Sequence, residues 1–127
     1  MPRHTIHSPD APRAVGPYSH AASGADGSPL HLSGQTPIDP DTGRLVEGDV
    51  TAQTERVFAN LALVLSSCGR DLADVVKVNV YLTSMQDFAA MNEVYADVFQ
   101  PPYPARTTVA VAGLPLGARV EIEAVAS

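Results

Sequence analysis

Apolar residues between Val50 and Cys68 fall at Val50, Val57, Phe58, Leu61, Val64, Leu65 and Cys68, the three- and four-residue steps of one helical face. Asp49 stands where an N-cap would and Gly69 where a helix would stop, so the spacing predicts an amphipathic helix that ends at Cys68. The period then changes to two. In "DVVKVNVYLT", Val76, Val78, Val80 and Leu82 alternate with Lys77, Asn79 and Tyr81, the pattern of a half-buried strand. A second helical stripe runs through Phe88, Met91, Tyr95, Val98 and Phe99. Ser84 and Asp87 precede it at capping-box spacing, and Pro101 and Pro102 follow it. Upstream, the stretch through Pro17 holds four of the eleven prolines and predicts an irregular arm leading into a strand near residues 18–23. "SGADGSP" offers a turn, "LHLSG" a short strand, and a loop is expected from Gly34 through "TPIDPDTGRL". The order of strands, helix, strand, helix, strand, strand, with no repeat or boundary, predicts one domain over residues 1–127. Its fold class is α+β, a two-layer sandwich with both helices on one face of the sheet.

The last two strands, "RTTVAVA" and "ARVEIEAVA", flank the turn-like "GLPLG" and are expected to pair as an antiparallel hairpin. Pairing Ala112 with Ala118 would bury Glu121 and Glu123 among valines, at several kcal/mol each when unpaired. Shifting the register by one sets Thr108 opposite Glu121. One face is then Val109, Val111, Val120, Ile122 and Ala124; the other is Arg106, Thr108, Arg119, Glu121 and Glu123. Arg106 and Glu121 become diagonal neighbours, with roughly 7–8 Å between backbones and room for a small molecule between their tips. A solvated ion pair worth about 0–1 kcal/mol is the plainer alternative. Small Ala110 and Thr108, with Tyr81 and Asn79, make that face better suited to contact with a second chain than to water.

Composition narrows the function. Apolar residues are 45% of the chain and charged residues 17%, which fits a globular core and not a disordered chain. A formal charge of −6 repels polyanions, so nucleic acid is not an expected partner. "MPRHTIHSPDAPR" has no apolar stretch of the signal-peptide kind, and no run nears the roughly 18 residues of a spanning helix. A cytoplasmic protein without membrane contact is therefore expected. The single cysteine, Cys68, excludes an internal disulfide and reads as a packed thiol. His4 and His7 lack the partners a metal would need, and Ser19 and His20, adjacent in a strand, would point to opposite faces.

Five strings, "GPYSHA" (16–21), "SGQTP" (33–37), "NEVY" (92–95), "PARTTV" (104–109) and "LPLGARVEIEAVA" (114–126), occur in an order and spacing that resemble the Rid family of reactive-intermediate deaminases, its RidA-type members in particular. The resemblance spans essentially the whole chain. It implies a chorismate-mutase-like fold, a homotrimer with three clefts between subunits, no cofactor and no metal. It also implies hydrolysis of small 2-imino and enamine acids, such as 2-aminoacrylate/2-iminopropanoate and 2-iminobutanoate, to 2-keto acids and ammonia. A functional link to the PLP-dependent dehydratases that generate such imines follows. By the same resemblance Arg106 binds the substrate carboxylate, Glu121 handles water, and Tyr18, Ser33, Gly34 and Asn92 line the cleft. Thr108, also a candidate substrate contact, stands where well-known members carry cysteine, so a cysteine-based oxidative switch is not implied here.

The chemistry suits those residue types. The imine carbon beside a carboxylate is already activated toward water, so positioning can suffice. Arginine supplies a planar two-pronged donor that lysine does not reproduce, and a carboxylate can orient water and pass protons, typically worth about 10²–10⁴-fold. Glycine at position 34 allows backbone groups to approach the nitrogen. Tyr18 reads equally as a core aromatic and Asn92 as a satisfied buried amide. Two other functions stay open at this point, a non-catalytic carboxylate-binding or chaperone-like trimer and an endoribonuclease or translation inhibitor, the latter disfavoured by the acidic balance.

Overall fold

The computed structural model describes residues 2–127. The strands are β1 (His4–Ile6), β2 (Ala21–Ser23), β3 (Leu30–Gln35), β4 (Val75–Leu82), β5 (Ala105–Ala110) and β6 (Val120–Ala126), and the helices are α1 (Val50–Ser67) and α2 (Phe88–Val98). They form one six-stranded sheet of order β1-β2-β3-β6-β4-β5. Both helices lie on one face, as the two-layer expectation required. The N-terminal arm is more ordered than its prolines suggest, because residues 4–6 add a short strand to β2.

The α1 boundaries follow their caps. Asp49 accepts from the Ala52 N–H at 3.0 Å. At the other end Gly69 takes φ +70°, and the Gly69 and Arg70 N–H groups return to Ser66 and Leu65 at 3.1 and 2.9 Å, a glycine-terminated Schellman arrangement. The expected capping box at Ser84 does not form. Ser84 Oγ accepts from Gln86 N, a 3-10 turn occupies Met85–Asp87, and α2 begins at Phe88. Asp87 is instead drawn to Arg119, 2.7 Å from its Nη2.

The core lies between helices and sheet. Val57, Leu61, Val64 and Leu65 of α1 and Met91 of α2 meet Val78, Val80, Leu82, Val120 and Ile122, all at 2% exposure or less. Val76 breaks the expected alternation at 48% exposed, and Val75 is buried instead, because the β4/β6 register slips between Val75 and Lys77. Within the core, Asn60 donates to the Thr36 and Ile38 carbonyls at 3.2 and 2.9 Å, tying the 36–46 loop to α1. Gln53 accepts from the Arg119 N–H at 2.9 Å and anchors the segment before β6.

The expected β5/β6 hairpin is absent. β5 pairs in parallel with β4, a pairing that needs a crossover, and α2 supplies it. β6 inserts between β3 and β4, antiparallel to both. Val120, Ile122, Ala124 and Ala126 are each 3% exposed or less, so this strand belongs at the sheet centre, where both of its backbone edges find partners. "GLPLG" does turn, with Leu116 at φ +60° and Gly117 at φ +77°, but inside a connection that crosses β4. No helix among the described residues is long and apolar enough to span a membrane.

Candidate functional site

The register divides the chemistry between the two faces of the sheet. Arg106 pairs with Val78 and Thr108 with Val80, so both belong to the helix side. Glu121 pairs with Tyr81 and Glu123 with Asn79, on the side no helix covers. Within one chain Arg106 and Glu121 therefore do not converge, and Thr108 is not opposite Glu121. The expected faces are right for β6 and inverted for β5, and Val109 stands 40% exposed beside Tyr81.

On the uncovered face, an open cleft of about 610 Å³ is lined by Tyr18, Ser33, Gly34, Glu121 and Glu123, with Arg13 and Leu116 at its walls. A bulge in β3 between Leu32 and Gln35 puts Ser33 and Gly34 beside Glu121. A side-chain carbon at Gly34 would come within 3.0 Å of Glu121 Cδ, so glycine is what lets the carboxylate lie against the bulge. Ser33 Oγ donates to the Ser19 carbonyl at 2.6 Å, which fixes the bulge to the arm. Tyr18 is 43% exposed, which removes the core-aromatic alternative. Burial raises the proton affinity of Glu121, and the neighbouring Glu123 charge raises it further.

On the helix side, a second cleft of about 460 Å³ is lined by Asn92, Tyr95, Ala96, Tyr103, Pro104 and Arg106. Arg106 Nη1 donates to Asn92 Oδ1 at 2.7 Å, and the guanidinium lies 4.5 Å from the Tyr95 ring centre and 5.6 Å from that of Phe88. Asn92 is exposed, so it is not a satisfied core amide; it braces Arg106. Stacking and the amide together limit where the fork can point. The Tyr95 hydroxyl and Thr108 Oγ1 are buried without hydrogen-bond partners, and Thr108 lines neither cleft. Tyr95, expected only as part of the apolar stripe of the second helix, also backs Arg106, and its position three residues from Asn92 on one helical face is the signal for that second role. Leu116 and Arg13, in loop and arm, carry no periodic signal.

His20 and Cys68 are structural. His20 Nδ1 accepts from the Ser8 N–H and Nε2 lies 2.8 Å from the Pro12 carbonyl, pinning the arm and leaving no ring nitrogen for Ser19. Burial pushes the Cys68 thiol up, which suits a packed residue. The described residues contain no group of three or more side chains placed to hold a metal.

The family model described as Endoribonuclease L-PSP matches residues 8–127. A protein named DfrA from Myxococcus xanthus is 50% identical over 126 residues, 99% of this chain and 96% of its own. A mouse protein named 2-iminobutanoate/2-iminopropanoate deaminase is 44% identical over 124 residues, 98% of this chain and 90% of its own. Among solved structures, RidA from an Antarctic Psychrobacter superposes with a TM-score of 0.90 at 46% identity, covering 97% of this chain and 98% of that one.

Proposed function

The chain belongs to the endoribonuclease L-PSP family, which includes the Rid proteins, and from that premise we propose that it is a hydrolytic deaminase of short 2-imino acids acting as a homotrimer. The observation that carries the proposal is the division of the candidate residues into two incomplete clefts. One holds Glu121 apart from Arg106, its only guanidinium being that of Arg13 on the arm, and the other holds the Arg106 fork with no carboxylate in its lining. Two different patches that complete each other across copies suit a head-to-tail contact, which closes into a ring where the rotation between copies allows it. The uncovered sheet face, with Tyr81, Asn79 and exposed Val109, and the free edge of β5 supply surface for that contact. Three copies is the number the Rid resemblance implies.

In such a cleft Arg106 of one subunit grips the substrate carboxylate through its fork, and Glu121 of the next faces the imine carbon. Glu121 takes a proton from water as the oxygen bonds to that carbon and the C=N double bond becomes single. The protonated Glu121 returns the proton to nitrogen. Collapse of the tetrahedral adduct forms the keto C=O and breaks the C–N bond as Glu121 carries the hydroxyl proton to the nitrogen, which leaves as ammonia. The raised proton affinity of Glu121 suits a group that must both take and return a proton. Tyr18 and Leu116 would wall the substrate, and Gly34 leaves room for Glu121 and for a backbone contact to nitrogen.

A coupled assay tests the reading: a dehydratase generates 2-aminoacrylate from serine, and keto acid is followed with and without the protein. Faster release than the spontaneous rate is expected. Keto-acid binding without acceleration would overturn the enzyme in favour of a carboxylate-binding module. Cleavage of RNA without imine hydrolysis would replace both, against a chain whose formal charge is −6.

A further inference from the structure

Glu123 is not needed by the mechanism above, yet it lies in the same cleft as Glu121 and two residues along the same face of β6. Tyr81, directly opposite Glu121 on β4, donates its hydroxyl to Glu123 Oε1 and not to Glu121. The two carboxylates thus have unequal surroundings. Glu123 is held by a fixed donor, whereas Glu121 rests against Gly34 with no side chain donating to it among the described residues.

We propose that Glu123, held by the Tyr81 hydroxyl, is a positioning residue for Glu121, so that the two work as an unequal pair in which Glu123 is the charged neighbour and Glu121 exchanges the catalytic proton. A negative charge beside a carboxyl makes loss of its proton harder, and the field acts in this sense on Glu121. Tyr81 is fitted to the holding role because it keeps its own proton, its phenol being pushed up to about 12, first by the bond to Glu123. Other charged or titratable groups face the pair: Arg13 and Tyr18 from the arm, Arg3 ahead of β1, His31 on β3, and Lys77 on β4. No cation among the described residues comes within ion-pairing distance of either glutamate, and Lys77 is engaged by Thr107 Oγ1 at 2.8 Å. Within one subunit the Glu123 charge therefore acts on Glu121 with no ion pair to cancel it, and in the proposed trimer Arg106 of the neighbouring copy joins the groups that face the pair.

The proposal rests on the deaminase reading for its purpose but not for its test. Carboxyl-¹³C NMR of the full-length protein, glutamate-labelled, follows Glu121 in wild type, Glu123→Gln and Tyr81→Phe. Glutamine keeps an oxygen for Tyr81 and removes the charge. In wild type the Glu121 curve is expected to carry a second inflection from its neighbour. In Glu123→Gln it should become a single step displaced to lower pH. In Tyr81→Phe, where Glu123 is free to swing away, it should move in the same direction by less. A single-step wild-type curve, or one unmoved in a folded variant, would overturn the proposal, and the wild-type and Tyr81→Phe curves decide it should Glu123→Gln not fold. The acidic limb of the pH–turnover profile should move to lower pH in Glu123→Gln. A wild type that accelerates nothing at any pH defeats the deaminase reading while the NMR curves still decide the pair.

Discussion

Replacing Arg106 by lysine preserves the charge and removes the fork, which makes it the cleanest probe of the helix-side cleft. Arg106 uses Nη1 for Asn92 at 2.7 Å and stacks 4.5 Å from the Tyr95 ring centre, so the guanidinium is held before any ligand arrives. A lysine ammonium would still lie near the ring but could offer a carboxylate only one short contact, from a flexible stem. Losing one charge-assisted hydrogen bond costs about 1.5–3 kcal/mol. At 1.4 kcal/mol per factor of ten, that is on the order of ten- to hundredfold weaker binding of pyruvate or 2-oxobutanoate. The fold should tolerate the change, because the side chain sits on edge strand β5 and touches the core only through cation–π contacts to Tyr95 and Phe88, each worth about 0.5–1 kcal/mol at such a site. Calorimetry gives the affinity and a thermal melt checks the fold. Affinity within twofold of wild type in a folded Arg106→Lys protein would refute the carboxylate clamp.

Glu121→Gln is expected to assemble and bind keto acid yet lose on the order of a hundredfold or more in imine hydrolysis over the spontaneous floor; stopped-flow detection of the imine checks this, and undiminished turnover would remove Glu121 from the mechanism. The same variant should melt higher than wild type at neutral pH. Because folding raises the proton affinity of Glu121, the folded state binds more protons than the unfolded one between the ordinary and raised values, and stability falls as pH climbs through that window. The melting advantage should shrink below the ordinary glutamate range, and an advantage independent of pH would contradict the assigned cause. Gly34→Ala should fold, since the clash is with the flexible end of a side chain, but displace Glu121 and lower kcat more than it raises KM; unchanged kcat would show that the close approach is idle.

How much of this was legible in the sequence depended on whether local pattern or long-range pairing decided the feature. Helix α1 was legible with its caps, because Asp49 and Gly69 act within one turn of the residues they stop. The faces of β6 were legible as well, since burying Glu121 or Glu123 would be costly whichever strand lay beside it. The partner of β6 was not. "GLPLG" signals a turn equally well in a hairpin and in a crossover, and only the demand of β4 for a parallel neighbour through α2 separates the two. From that one error the face of β5 came out inverted, because Arg106, Thr108 and Ala110 alternate with Thr107 and Val109 with too little contrast in polarity to fix a side. The candidate residues were found through the motifs. That all of them but Thr108 fall into two clefts is a property of strand order, which no local spacing encodes.

Subunit complementation tests the shared cleft most directly. Arg106→Ala and Glu121→Ala chains, each inactive alone, are unfolded together in equal amounts and refolded into mixed assemblies. A cleft is intact only when its Glu121 half comes from the first chain and its Arg106 half from the second, so random mixing in a closed ring should restore about a quarter of wild-type imine hydrolysis per subunit. Mixed assemblies that form and stay inactive would contradict a site built across two chains.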